Sequence, residues 1–177
     1  MINSNNSTIN NNTTNNNTIG SVVNISINAF SREDIDHILG DARRMDRYVR
    51  CAYGAIPKMI GDVYFDPAKP ENRTVRMPNM RGRHMQVYSS RGRWEYRDKS
   101  SVLRDMIERN LDHLGEHADS GTCKVQPLAL SKFRECQQLL DEFLRETSGS
   151  KHAATVWKNV QRHVETVILN SRPLLGA

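Results

Sequence analysis

The sequence predicts an α+β domain: an N-terminal strand and short helices, a small antiparallel β-meander, and a C-terminal α-helical hairpin. Three observations carry that expectation. Val23, Ile25, Ile27 and Ala29 alternate with Asn24, Ser26 and Asn28, the period-two pattern of a half-buried strand. Pro67, Pro70 and Pro78 forbid a long helix in the middle of the chain and leave short runs rich in β-branched and aromatic residues. Beyond Lys99, apolar residues recur at helical spacing in three long stretches.

Residues 1–20 form an Asn-rich, low-complexity tail, too poor in apolar groups to offset the entropy of ordering it. Asn side chains can also ladder between identical strands, so self-association is the sharper expectation for this tail. Residues 21–172 form a single domain, divided into a strand with helices (21–60), a small sheet (61–98) and a helical part (99–172). Residues 173–177 are a C-terminal tail. A chain of 177 residues matches one domain of ordinary size.

Each element follows from local signals. The strand at 22–29 needs a partner, either within the chain or in another copy; Val23, Ile25 and Ile27 are the candidate oligomerisation residues and a homo-oligomer is expected. Ser31-Arg32-Glu33-Asp34 reads as a helix start ahead of Ile35, Ile38 and Leu39, with Gly40 as the stop. A second helix starts near Asp41, with Met45, Tyr48, Val49 and Ala52 inward and Arg43, Arg44, Arg47 and Arg50 on its outer face. Gly54 closes it, and Pro57 opens a short third helix ending near Ile60. Val63-Tyr64-Phe65, Thr74-Val75-Arg76-Met77, Met85-Gln86-Val87-Tyr88 and Arg93-Trp94-Glu95-Tyr96 read as strands, joined at Arg81-Gly82 and Ser89-Ser90-Arg91-Gly92. A helix over 99–114 carries Val102, Leu103, Met106, Ile107, Leu111 and Leu114, followed by a polar connection over 115–126. Phe133, Cys136, Leu140 and Phe143 line the next helix, and Val156, Trp157, Val160, Val164, Val167 and Ile168 the last; a turn at Ser148-Gly149-Ser150 folds them into a hairpin.

Composition excludes several function classes. No apolar run approaches the roughly 20 residues of a membrane span, and the chain starts without the basic and apolar segments of a secretory signal. Three widely spaced cysteines, Cys51, Cys123 and Cys136, are no disulfide framework and suit a reducing compartment. No nucleophile elbow, phosphate loop or dinucleotide fingerprint occurs, so no enzyme and no cofactor are expected. His113, Glu116, His117 and Cys123 lack a completing pair of ligands, so no metal is expected either.

The charge is concentrated. Residues 73–104 contain nine Lys or Arg against Glu95 and Asp98, which is +7; the whole chain is +5, so the remainder carries −2. Such a segment implies an anionic partner. Arg76, Arg81, Arg83, Arg91, Arg93 and Arg97 are the candidate phosphate contacts, and DNA or RNA is the expected ligand. Tyr88, Trp94 and Tyr96 can stack on bases, although the need for a hydrophobic floor under the helices draws Tyr88 and Trp94 toward the core.

Several ordered pieces resemble a module of large nucleocytoplasmic DNA viruses. They are Asp66-Pro67, Pro70-Glu71-Asn72, Met77-Pro78-Asn79, Val87-Tyr88, Trp94, and Asp98-Lys99 leading into Val102-Leu103 and Met106-Ile107. The module has a PENxx(I/V)xxPN element, a basic strand ending in VY, a tryptophan, and a helix after DK. The Asn-rich leader, Ile56-Pro57-Lys58-Met59-Ile60 and Val167-Ile168-Leu169-Asn170 are also similar to it, and the resemblance covers roughly residues 21–172. It implies an accessory protein of a giant virus in the host cytoplasm or nucleus, at the viral factory or in the virion, with a viral protein as a further partner. The module often carries His where Tyr64 and Arg73 stand here, so a histidine-pair role does not transfer. The expected function is therefore a non-enzymatic, self-associating nucleic-acid-binding protein; the alternative is a structural scaffold of the virion or factory. Pro70-Glu71-Asn72 itself reads as a structural turn.

Overall fold

The computed structural model describes residues 25–145 and 150–171. The chain forms α1 (Asp36–Leu39), α2 (Ala42–Val49), a 3-10 turn at Ala52–Gly54, α3 (Ala55–Tyr64) and a second 3-10 turn at Pro70–Asn72. Strands β1 (Val75–Arg76), β2 (His84–Tyr88) and β3 (Trp94–Asp98) follow, then α4 (Lys99–Asp119), α5 (Pro127–Arg145) and α6 (Lys151–Asn170). The architecture is α+β, with an antiparallel meander ordered β1-β2-β3 and a C-terminal helical hairpin. No described helix is long and apolar enough to cross a membrane.

The register fixes which sheet residues meet the helices. Val75 lies opposite Val87, and Val87 opposite Glu95; Met85 lies opposite Arg97. Directly opposed residues share a face, and Val75, Val87 and Met85 are all buried, so this is the inner face. It packs on α4, whose Val102, Leu103, Met106, Ile107, Leu111 and Leu114 are fully enclosed. α4 also meets α3 and the α5–α6 hairpin, where Phe133, Cys136 and Leu140 of α5 join Val156, Val160 and Val164 of α6 in one core. Phe143 stacks on Trp157 with centroids 4.9 Å apart and planes 14° from parallel. Arg104 covers the pair, its guanidinium carbon 5.6 Å from the Trp157 ring.

Four boundaries differ from the sequence expectation, each for a local reason. The strand expected at 22–29 is no strand over 25–29; the rest, including Val23, lies outside the described residues. The Asn28 N–H donates to Glu71 O (2.8 Å) and the Phe30 N–H to Tyr88 O (2.8 Å), so the segment is held by the chain's own turn and strand end without a ladder. α1 starts at Asp36 because Ser31 adopts φ 76° and Glu33 is engaged elsewhere. The buried Glu33 carboxylate accepts from Thr74 Oγ1 (2.6 Å) and from Arg109 Nη1 (3.1 Å). α3 runs through Val63 and Tyr64, which were expected to be a strand; both are buried one turn beyond Met59 and Ile60, and so short an apolar run does not distinguish strand from helix. α4 continues to Asp119 because His117 and Ala118 also find buried positions, which shortens the polar connection. Within α2, Arg44 is not on the outer face: it pairs with Asp62 (3.1 Å) and donates from Nε to the Tyr48 hydroxyl (2.8 Å).

Candidate nucleic-acid interface

The opposite face of the sheet is open to solvent. Arg76, Gln86 and Tyr96 form one row across the three strands, Tyr88 and Trp94 a second, and His84 and Asp98 a third. Tyr96 is 67% exposed, the most open aromatic ring among the described residues. Tyr88 and Trp94, drawn inward by the sequence expectation, are instead half-buried on this outer face, edge to face at 5.4 Å. The Arg76 guanidinium carbon lies 3.9 Å from the Trp94 ring centroid. The Trp94 face toward Arg76 is therefore occupied, and Tyr96 offers the freer stacking surface.

The six candidate arginines have different fates. Arg76 stands on the outer face. Arg81 and Arg83 lie in the exposed β1–β2 connection; Arg81 makes no side-chain hydrogen bond or ion pair among the described residues, and its N–H is held by Asn79 Oδ1 (2.9 Å). Arg91 and Arg93 share one carboxylate, Glu95, at 3.9 and 3.0 Å, and both are well exposed. The Arg93 hydrogen bond, with help from Ser89, holds the Glu95 carboxyl below its usual range. Two exposed cations on one half-buried anion leave net positive charge, and pairs made by such open arginines are worth little. Arg97 sits on the inner face: it pairs with Asp105 of α4 at 3.0 Å and lies 5.7 Å from the Phe30 ring, so it fastens the sheet to the helix. Within the basic tract Lys99 is also engaged, with Glu165 (3.4 Å) and Met80 O (3.1 Å).

Ile25 and Ile27 line a cleft of about 590 Å³ with Phe65, Val75, Met77 and Ile168, and Arg73 and Arg76 stand on its wall. These two candidate oligomerisation residues thus face the chain's own β1 side. Pro70-Glu71-Asn72 acts as a structural turn. Asn72 is fully buried; its Oδ1 accepts from Asn28 Nδ2 (2.8 Å) and the Asp34 N–H (2.9 Å), and its Nδ2 donates to Asp34 O (2.7 Å).

No known family model, curated protein or solved structure matches the chain. The resemblance to the viral module accordingly rests on the quoted residues alone. Sequence reasoning singled out the basic tract and its three aromatics but missed Gln86 and His84 on the same face; the period-two parity of β2, counted from buried Met85 and Val87, was the signal that could have added them.

Proposed function

We propose that this chain is a non-enzymatic binding protein that takes single-stranded nucleic acid on the outer face of its sheet. The observation that carries this is the juxtaposition, by strand register, of exposed Tyr96 with Arg76, Gln86, Tyr88 and Trp94, flanked by Arg81, Arg83, Arg91 and Arg93 in the two connections. An open sheet face offering rings and cations suits unstacked bases and their phosphates; reading a duplex groove calls for a projecting helix or ribbon. The guanidinium groups supply phosphate contacts without sequence preference, and the open Tyr96 ring supplies a base platform.

Fluorescence anisotropy with labelled single- and double-stranded oligonucleotides of equal length tests this. Single strands bind more tightly, and the logarithm of the affinity falls linearly with the logarithm of salt, by about 0.7 for each phosphate neutralised. Tyr96→Ala weakens binding by roughly 1–3 kcal/mol, and charge reversal at Arg81 and Arg83 flattens the salt slope. Binding unaffected by these changes, or absent at low salt, moves the reading to a scaffold whose arginines meet acidic protein surfaces. Light scattering on the same samples measures the self-association expected from the sequence.

A further inference from the structure

A second cluster of chemically capable side chains lies at the C-terminal end of α4, the end remote from its junction with β3. Asp46 of α2, His117 in the last turn of α4 and Cys123 in the connection to α5 offer a carboxylate oxygen, an imidazole nitrogen and a thiol sulfur that all lie within 4.8 Å of one another. His117 Nε2 is 2.9 Å from Asp46 Oδ1, and both residues are at most 9% exposed. The backbone holds the set in place. The Lys124 N–H donates to both oxygens of Asp46, at 3.2 and 3.3 Å. Ser120 closes the end of α4 by donating from N (3.0 Å) and Oγ (2.7 Å) to His117 O, and the Cys123 N–H returns to Ser120 O (3.3 Å).

We propose that Asp46, His117 and Cys123 form a three-ligand zinc site that staples α2, the end of α4 and the following connection, with a fourth position open to water. The donor set is the first reason: thiolate and imidazole together select zinc over the oxygen-seeking magnesium and calcium. Charge is the second. A thiolate and a carboxylate balance a divalent ion, so the ion and its ligands together are neutral where they are buried, with the exposed Arg50 guanidinium 3.9 Å from Asp46 Oδ2 beyond them, and a neutral imidazole completes the set. Geometry is the third. Bonds of 2.0–2.3 Å about a tetrahedral ion put the ligand atoms about 3.3–3.6 Å apart. The Asp46–His117 contact opens slightly to reach that spacing, and the thiol moves in by roughly an ångström at most. Cys123 is half-buried and lies outside the helices, where such a shift costs least and where an ion can enter. His113, one turn before His117, pairs instead with Glu116 at 3.9 Å and takes no part.

Cobalt titration of the full, reduced, metal-free chain tests the site. One equivalent of cobalt produces a near-ultraviolet thiolate-to-cobalt band with the visible bands of a tetrahedral ion, and zinc displaces it. Cys123→Ser abolishes the thiolate band and weakens zinc binding by at least roughly 100-fold; Cys51→Ser and His113→Gln change neither. Zinc at a hundred times its dissociation constant raises the thermal midpoint by roughly 5–10 °C. Should Cys123→Ser not fold, the unmodified chain decides: zinc slows iodoacetamide capture of Cys123, read by mass spectrometry, and leaves that of Cys51 unchanged. Absence of one-equivalent binding, a band that follows Cys51, or equal capture of Cys123 with and without zinc overturns the proposal.

Discussion

Asn72 shows how much one buried side chain can organise. It links the segment before α1 to the Pro70–Asn72 turn through three hydrogen bonds, with no exposure to water that could replace them. Asn72→Ala leaves the Asp34 N–H and C=O and the Asn28 amide without their partner. The expected cost is about 2–4 kcal/mol, seen as a lower urea midpoint at unchanged slope. Asp46 provides a second test, through pH. Burial works against its charge, but the hydrogen bonds from His117 and the Lys124 N–H, with Arg50 nearby, hold its carboxyl below the ordinary aspartate value. Its contribution is therefore complete above the unfolded value of about 4 and is lost as pH falls through the lower folded value. Urea midpoints measured from pH 2 to 6 converge for the wild type and Asp46→Asn at the acid end and separate above about pH 4. The sequence marked Asn72 as part of a turn, which follows from its type and its neighbour Pro70. It could not mark Glu33 or Asp46 as buried, because their partners lie far along the chain and a carboxylate is ordinarily a surface group.

At the scale of elements, legibility tracks length. α4, α5 and α6 repeat their apolar positions over five or more turns, and most of their inward residues are legible, although Phe143 and Val167 turn out only partly buried. The meander was legible because prolines and glycines punctuate it. The Val63–Tyr64 end of α3 was misread because three apolar or aromatic residues, Val63-Tyr64-Phe65, suit either period. The hairpin of α5 and α6 makes its own prediction. Cys136 is 1% exposed in its seam, and burial, with Glu135 nearby, pushes its thiol up to about 12. Cys51 is exposed. Iodoacetamide at pH 8 therefore reaches exposed Cys51 in the folded chain and Cys136 only when the hairpin opens, so the Cys136 rate rises with urea well before global unfolding if α5 undocks locally. Peptide mass spectrometry of timed samples separates the two sites. Equal rates for the two thiols in native buffer would show that the hairpin is not seated on the core.

For the whole molecule, the sequence located a +7 segment on a chain of +5, and folding gives it a direction. Part of that charge turns inward with Arg97 or is met by Glu95, while Arg76, Arg81 and Arg83 remain around one solvent-facing sheet. Composition reports the total and register the distribution, which is why the candidate face was only half legible beforehand. The bridge between Glu33 and Arg109 has a further consequence, in time. The two residues are 76 positions apart, and at 5–20 residues per second ribosomal synthesis separates their emergence by roughly 4–15 s. Until α4 emerges, Glu33 has no cation in that pocket and its carboxylate stays hydrated. The Glu33–Arg109 bridge therefore closes as a late event, after the turn, the sheet and half of α4 have left the ribosome, and until then Asn72, Glu71 and Tyr88 hold the leading segment without it.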